Sequence, residues 1–404
     1  MGMSVGPQTW APGVHLEEAF RRAPDAFETG VPAFLGRLST RGALLPPFAG
    51  SAESVFPLDY TAWSALEARE GARWASGYLG FAVRGFFENG GRRCYLLRLG
   101  AGGIDLGTIS ALEALEDFDL VCAPDTTPAS AQQQLLVDGF KHQQRCFLIL
   151  DPPPGGPATL ASLTTLRSVN AALYSPWIKV RDACPDCLGT GQLLAGAVCS
   201  RCVGSGQGLV PPSGHLAGVY SRTDQRIGVH KAPANEVIEG VLDLELHLDD
   251  AAVATLNRDQ GVNCLRALPG RGIRAWGART LAAPLGPDFM FVNTRRIFLS
   301  VSRWLEQAMA DVAFEPNELG LWIRITRDVG AFLEGLFRRG ALTGASAAEA
   351  FYVKCNAETN PSSVRAAGQV VTEVGLALAR PSEFVVVRLV SSSSGTAVSG
   401  APGS

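Results

Sequence analysis

The chain has 404 residues, a hydrophobic fraction of 47%, charged residues at 18% and a formal net charge of -3. Such a balance supports more than one packed domain, gives no basic footprint for nucleic acid, and contains no apolar run near the ~20 residues of a membrane-spanning helix. The nine cysteines, in a chain whose first residues lack a secretory h-region, read as buried thiols or metal ligands of a reducing cytoplasm, not as disulfides.

Residues 1–24 read as an extended arm. Pro7, Pro12 and Pro24 oppose helix, and Val14, His15, Leu16, Glu17 and Glu18 form its one short strand. That strand is either an ordinary first strand or an arm that pairs outside its own domain. Residues 31–36 give a buried strand, 62–73 and 78–87 two helices, and 94–99 a strand. Gly100, Gly102 and Gly103 follow with neither the P-loop Lys-Ser/Thr nor a completed G-x-G-x-x-G, so they read as a plain turn. Helices over 109–115 and 131–144 alternate with strands over 120–123 and 145–150, which predicts a partly parallel α/β sheet. Asp125 and Asp151 stand where such sheets place chemistry, yet no partner completes a site, and the chain reads as a non-enzyme. A helix over 160–173, a strand over 177–180, a helix or turn from Pro211, and strands over 263–269 and 272–276 complete this part; His215 and His230 are isolated and read as structural.

The last hundred residues form a distinct module. A polar turn, 291–296, leads into a helix carrying Val301, Trp304, Leu305, Ala308 and Val312 at helical spacing. Asn317 is the expected N-cap of a second helix with Trp322, Ile325, Val329, Phe332 and Leu336 on one face. Gly340 stops that helix just after Arg338 and Arg339. A strand over 351–355, a helix from Asn360 carrying Val364, Ala367, Val371, Val374 and Leu378, and a β-branched strand of Phe384, Val385, Val386, Val387, Arg388 and Leu389 follow. Two strands are too few for a sheet, so partners must come from elsewhere in the chain or from another chain. Residues 391–404 read as a flexible tail.

The strongest chemical signal is Cys184-Pro185-Asp186-Cys187-Leu188-Gly189-Thr190-Gly191, repeated as Cys199-Ser200-Arg201-Cys202-Val203-Gly204-Ser205-Gly206. Each C-x-x-C forms a knuckle that aims two sulfurs at one point, and four thiolates at ~2.3 Å close a tetrahedron around zinc. Four unrelated cysteines or two redox dithiols are the alternatives, and the duplication speaks against both. With so little apolar content the segment depends on the metal for its folding energy, ~10–16 kcal/mol in zinc-finger peptides. The repeats resemble the cysteine-rich zinc modules of DnaJ-like chaperones over residues 184–208, enough for one structural Zn2+ per subunit.

Nearly the whole chain resembles the contractile tail sheath proteins of phages and phage-tail-like injection systems. The resemblance is carried in order by residues 12–18, 81–95, 174–180, 211–220, 228–235 and 291–389, with the cysteine segment as an insertion between Val180 and Pro211. It implies an α/β (α+β) two-domain tail-sheath fold: an N-terminal arm over 1–24, an outer domain over 25–284, a zinc-ribbon-like insertion over 181–210, a tube-facing core over 285–390, and a tail over 391–404. It further implies a structural subunit, assembled in the bacterial cytoplasm as stacked six-subunit rings around an inner tube, with baseplate and cap proteins as partners and no nucleic acid or direct membrane insertion. In that family the arm and the final strand are donated to neighbouring subunits. Arg338 and Arg339 become candidates for the tube contact. A zinc-dependent recognition module on an α/β scaffold is the competing function.

Overall fold

The computed structural model describes residues 28–401, apart from 41, 46–47, 50–52, 101, 127–144, 156–165, 194–195, 283–288, 311, 313–314, 379–384 and 393–394. The arm with Val14–Glu18, the expected helix over 131–144 and Phe384 therefore lie outside the described residues.

Eight strands make the large sheet: β1 (Pro32–Gly36), β2 (Val55–Asp59), β3 (Arg93–Arg98), β4 (Leu120–Cys122), β5 (Phe147–Leu150), β6 (Ala171–Ser175), β10 (Val262–Leu268) and β11 (Gly272–Trp276). Their order is β11-β10-β6-β5-β4-β1-β3-β2, parallel inside and antiparallel at both edges. The inner strands are apolar on both faces, as a sheet covered on both sides requires. Phe34, Leu96 and Ile149 enter one core, whereas Ala33, Leu35, Leu97 and Leu148 enter the other. Helices α1 (Tyr60–Glu70), α2 (Leu79–Glu88) and α4 (Ser213–Arg226) supply the first core, and α3 (Leu106–Glu113) and α5 (Asp250–Gln260) the second. Helices α2 and α4 approach so closely that a Cβ on Gly214 would stand 2.3 Å from the Ala82 backbone. A small antiparallel sheet of β7 (Ile178–Val180), β8 (Gly208–Val210) and β9 (Asp243–Leu244) carries the cysteine segment on its β7–β8 hairpin.

The C-terminal module has α6 (Val292–Ala308), α7 (Leu319–Arg338), the short α8 (Ala347–Ala350) and α9 (Ser362–Ala366), and the sheet β12-β13-β14-β15. Here the expectations need correcting. The helix from Asn360 lasts only through Ala366; Gly368 turns the chain at φ +66° and residues Val370–Leu376 become β13, because V-V-T-E-V finds ladder partners on both sides. The supposed tail contains β15 (Gly395–Ala401), paired along β14 (Val385–Ser392). The module thus has four strands of its own, and β14, which includes Val385, Val386, Val387, Arg388 and Leu389, pairs with β13 and β15 of the same chain. Asn317 does not cap α7. Its side chain accepts from Trp322 Nε1 at 2.7 Å and donates to the Gln369 carbonyl at 2.7 Å, while Glu318 is the N-cap with no side-chain bond. Helix α6 begins at Val292, so Arg295 and Arg296 belong to a helix and not to a turn. In the outer domain, Ala171–Ser175 is strand β6 where the helix over 160–173 was expected, and β2 and α5 are elements the pattern did not announce. Gly340 does end α7, at φ +73° with its N–H donating to the Phe337 carbonyl at 2.8 Å.

Three buried arginines on α6 tie the module to the large sheet. Arg296 reaches both carboxylate oxygens of Asp224 on α4, at 2.9 and 2.6 Å, and Asp119 beside β4 at 2.8 Å, with its guanidinium 5.0 Å from the Tyr220 ring centre. Arg295 donates to Asn170 Oδ1 at 2.8 Å, and Arg303 donates to the carbonyls of Phe118 and Glu116.

Asp151 serves the fold. Its Oδ1 accepts the Ser213 N–H at 2.8 Å, which caps α4 from the end of β5. The carboxyl is 1% exposed, and burial pushes its pKa up to about 7, against the smaller lowering by Ser213. A folded-state value above the unfolded one stabilises the native state below pH ~4, and this contribution is lost as the pH rises toward 7. Asp151→Asn should therefore gain in melting temperature over the wild type as pH increases from 5 to 8, corresponding to roughly 3 kcal/mol at the upper end. A constant difference across that range contradicts the assignment.

Candidate metal centre and family relationship

Between β7 and β8 the two cysteine repeats fold as near copies. Cys184, Cys187, Cys199 and Cys202 are at most 9% exposed, and their sulfurs all lie within 4.8 Å of one another. The Cys184–Cys199 sulfurs are 3.8 Å apart and the Cys187–Cys202 sulfurs 3.5 Å. A disulfide needs about 2.05 Å, so these are thiols, whereas a tetrahedron of ~2.3 Å metal–sulfur bonds has edges of about 3.8 Å.

Each knuckle is built by the same bonds. The N–H of Gly191 donates to Cys187 Sγ at 3.3 Å, and that of Gly206 to Cys202 Sγ at 3.2 Å. Thr190 and Ser205 each return a hydroxyl to the carbonyl of their knuckle's second cysteine, both at 2.6 Å. The repeats also clasp each other, Cys184 N–H to the Gly206 carbonyl and Cys199 N–H to the Gly191 carbonyl. The glycines are required at this contact: a Cβ on Gly191 would lie 2.2 Å from the Gly204 carbonyl oxygen, and one on Gly206 2.2 Å from that of Gly189. For Cys187 burial works upward, but the Gly191 and Gly189 N–H groups and the neighbouring thiols bring its pKa down to about 7, while burial pushes its partner Cys184 up to about 11, so the knuckle carries its first negative charge at Cys187. The donor set is soft and complete, with no open position among the four sulfurs; this suits a structural ion, not a catalytic one.

The segment is mounted on the outer domain by side chains that the sequence pattern did not mark. Arg73 Nη2 donates to the carbonyls of Asp182 at 2.8 Å and Cys184 at 3.5 Å, Arg84 bridges Glu67 and Asp182, and Arg181 pairs with Glu88 at 2.8 Å. Nothing local in sequence signals these contacts, since Arg73 and Cys184 stand 111 residues apart. Elsewhere the titratable residues that the sequence singles out have structural settings. His215 is 2% exposed in the first core, and burial lowers its pKa to about 3. Asp125 accepts the Tyr78 N–H at 2.7 Å. Arg338 is exposed and pairs with Glu334 at 3.0 Å one turn away. Among the described residues no helix is long and apolar enough to cross a membrane.

The family described as the phage tail sheath protein central domain matches residues 101–281. A chain of the anti-feeding prophage helical sheath in its contracted state is 27% identical, covering 93% of this chain and 98% of that one at a TM-score of 0.69. Residues 101–281 thus match that family's central domain, and the fold over nearly the whole chain is similar to that of a chain from a contracted helical sheath. A chain in the six-fold symmetrised baseplate of the anti-feeding prophage matches similarly, at 27% identity, 93% and 98% coverage and a TM-score of 0.68. The tail sheath protein of Burkholderia phage BcepMu is 29% identical over 145 residues, 34% of this chain and 30% of that relative. The central-domain match includes the cysteine segment but not the C-terminal module, whose likeness to sheath chains rests on the structural matches.

Proposed function

We propose that this protein is the structural subunit of a contractile sheath. Copies stack as six-subunit rings around an inner tube, meet a baseplate and a cap, and contract to drive the tube through a target envelope; no bond chemistry is involved. The observation that carries this reading is the 98% coverage of a contracted anti-feeding prophage sheath chain, through both the large sheet and the C-terminal module. The arm strand of Val14, His15, Leu16, Glu17 and Glu18 pairs with a neighbouring subunit, for which β12 and β15 offer the free edges of the C-terminal sheet. The strand of residues 384–389 is also proposed to pair with a neighbour, which in the assembly would exchange for the pairing that residues 385–389 make with β13 and β15 of the same chain. Arg338 and Arg339, at the end of α7, meet carboxylates of the tube. The cysteine quartet holds one structural Zn2+ per subunit, on a segment that points away from the tube. Assembly takes place in the bacterial cytoplasm.

Electron microscopy of the protein co-produced with its tube partner tests this: ringed rods that shorten are expected, and a soluble monomer that forms no tubular assembly overturns the reading. Deleting residues 1–20 should leave each subunit folded yet unable to form long sheaths; full-length contractile sheath from that variant contradicts the arm's role.

A second reading, zinc-dependent recognition, draws on exposed apolar side chains of the cysteine segment: Leu188 is 60%, Val198 64% and Val203 82% exposed. Replacing residues 184–207 by a tight turn separates the two. Intact sheath with loss of target binding favours recognition as an added role, and loss of assembly makes the segment part of the sheath itself.

A further inference from the structure

We infer that Arg73 is the counter-charge of the metal centre, so that metal loading and docking of the cysteine segment on the outer domain are one event. This rests on the metal reading above. Four thiolates carry four negative charges and a divalent ion returns two, so the loaded centre keeps a net charge of about -2. Its sulfurs belong to cysteines at most 9% exposed, where charge without a partner is costly. The other ions around the segment are already paired: Arg201 with Asp186 at 3.2 Å, and Asp182 with Arg84 of α2 at 3.5 Å and with Arg181 at 4.0 Å. Arg73 is different. Among the described residues no carboxylate pairs with it, and its guanidinium lies against the carbonyls of Asp182 and Cys184, the stretch that leads into the first ligand. It projects from the 3-10 turn Gly71–Trp74, which belongs to the outer domain, with the Phe81 ring 5.9 Å away. A cation held at that point stabilises the loaded, anionic knuckle far more than the neutral four-thiol form, and it exerts that preference from the domain on which the knuckle rests. Arg73 is thus a positioning residue of the second shell, acting through the backbone of the ligands.

The test is the affinity of the full chain for Zn2+ by chelator competition, with Co2+ absorption as a check that the sulfur ligands are unchanged. Arg73→Gln, which keeps donors but loses charge, is expected to weaken Zn2+ binding about 10–100-fold, with the Co2+ thiolate bands unaltered in position. Arg73→Lys, which keeps the charge, is expected to stay within a few-fold of the wild type. Wild-type affinity in Arg73→Gln, or equal losses in both variants, overturns the inference, the latter by assigning Arg73 to packing alone. Where Arg73→Gln fails to fold, Arg73→Lys decides alone: near-wild-type affinity supports the charge, and a loss above tenfold overturns it. A wild-type protein with neither bound zinc nor cobalt bands is a different result, and it sinks the metal reading itself.

Discussion

Replacing Cys184, Cys187, Cys199 and Cys202 together by serine should abolish metal binding and leave residues 181–207 open to proteases, while both larger sheets keep their melting transition. Among the described residues the segment has almost no core beyond its four cysteines, which form a cluster of their own. What the ion supplies is therefore the segment's whole folding energy, ~10–16 kcal/mol in comparable peptides. The rest of the outer domain is insulated because the hairpin stem, with Ile178 opposite Val210 and Val180 opposite Gly208, closes below the insertion. Elemental analysis should give one zinc per wild-type chain and none in the variant, and chelation should reproduce the proteolysis pattern. Equal resistance of the two proteins to a protease contradicts the metal's structural role.

The second large effect lies at Arg296. Arg296→Met should destabilise the protein by about 3–5 kcal/mol, because it leaves the carboxylates of Asp119 and Asp224 buried without their cation. Burial already raises the pKa of Asp224, and Arg296 is the group that opposes this. Without the arginine the carboxyl takes up a proton in the folded state, and stability falls as pH rises from about 4. The deficit should accordingly be larger at pH 8 than at pH 5, and Arg296→Met combined with Asp119→Asn and Asp224→Asn should recover most of it. Denaturant unfolding at the two pH values measures this; a pH-independent loss of under 1 kcal/mol contradicts the account. Because Arg296 sits on α6 while Asp224 lies on α4 and Asp119 just before β4, the variant should also show the C-terminal module melting earlier.

These two sites differ in how far the sequence announced them. The quartet is local: both repeats fall within residues 184–206 and their spacing alone places the sulfurs. Arg296 is not, since its partners stand 72 and 177 residues away and a Thr-Arg-Arg stretch after an apolar run resembles a surface turn. The available clue was the recurrence of arginine at 296 and 303, one heptad apart on an otherwise apolar helix face. The misreading of residues 370–376 has another cause. Val371 and Val374 satisfy a helical step, whereas Val370, Val374 and Leu376 share one face of a strand, and the ladder with residues 385–391 decides between them. The inner strands β1, β3, β4 and β5 were legible because they are short apolar runs between turn residues, whereas β6 was read as the end of a helix and β2 hides Pro57 in an edge strand, where a missing N–H is tolerated.

The β7–β8 hairpin has a consequence for what this protein can be made to carry. The chain leaves the small sheet at Val180 and returns at Gly208, directly across the ladder, so the sheet is indifferent to the length of the excursion. Closing a longer excursion is cheap, since each doubling adds only about 0.6 kcal/mol of lost chain entropy. The hairpin is therefore a natural grafting point: a foreign epitope or small fold inserted there needs only to bring its own ends together. If copies polymerise, a single genetic insertion becomes a dense array of the guest at the spacing of the assembly.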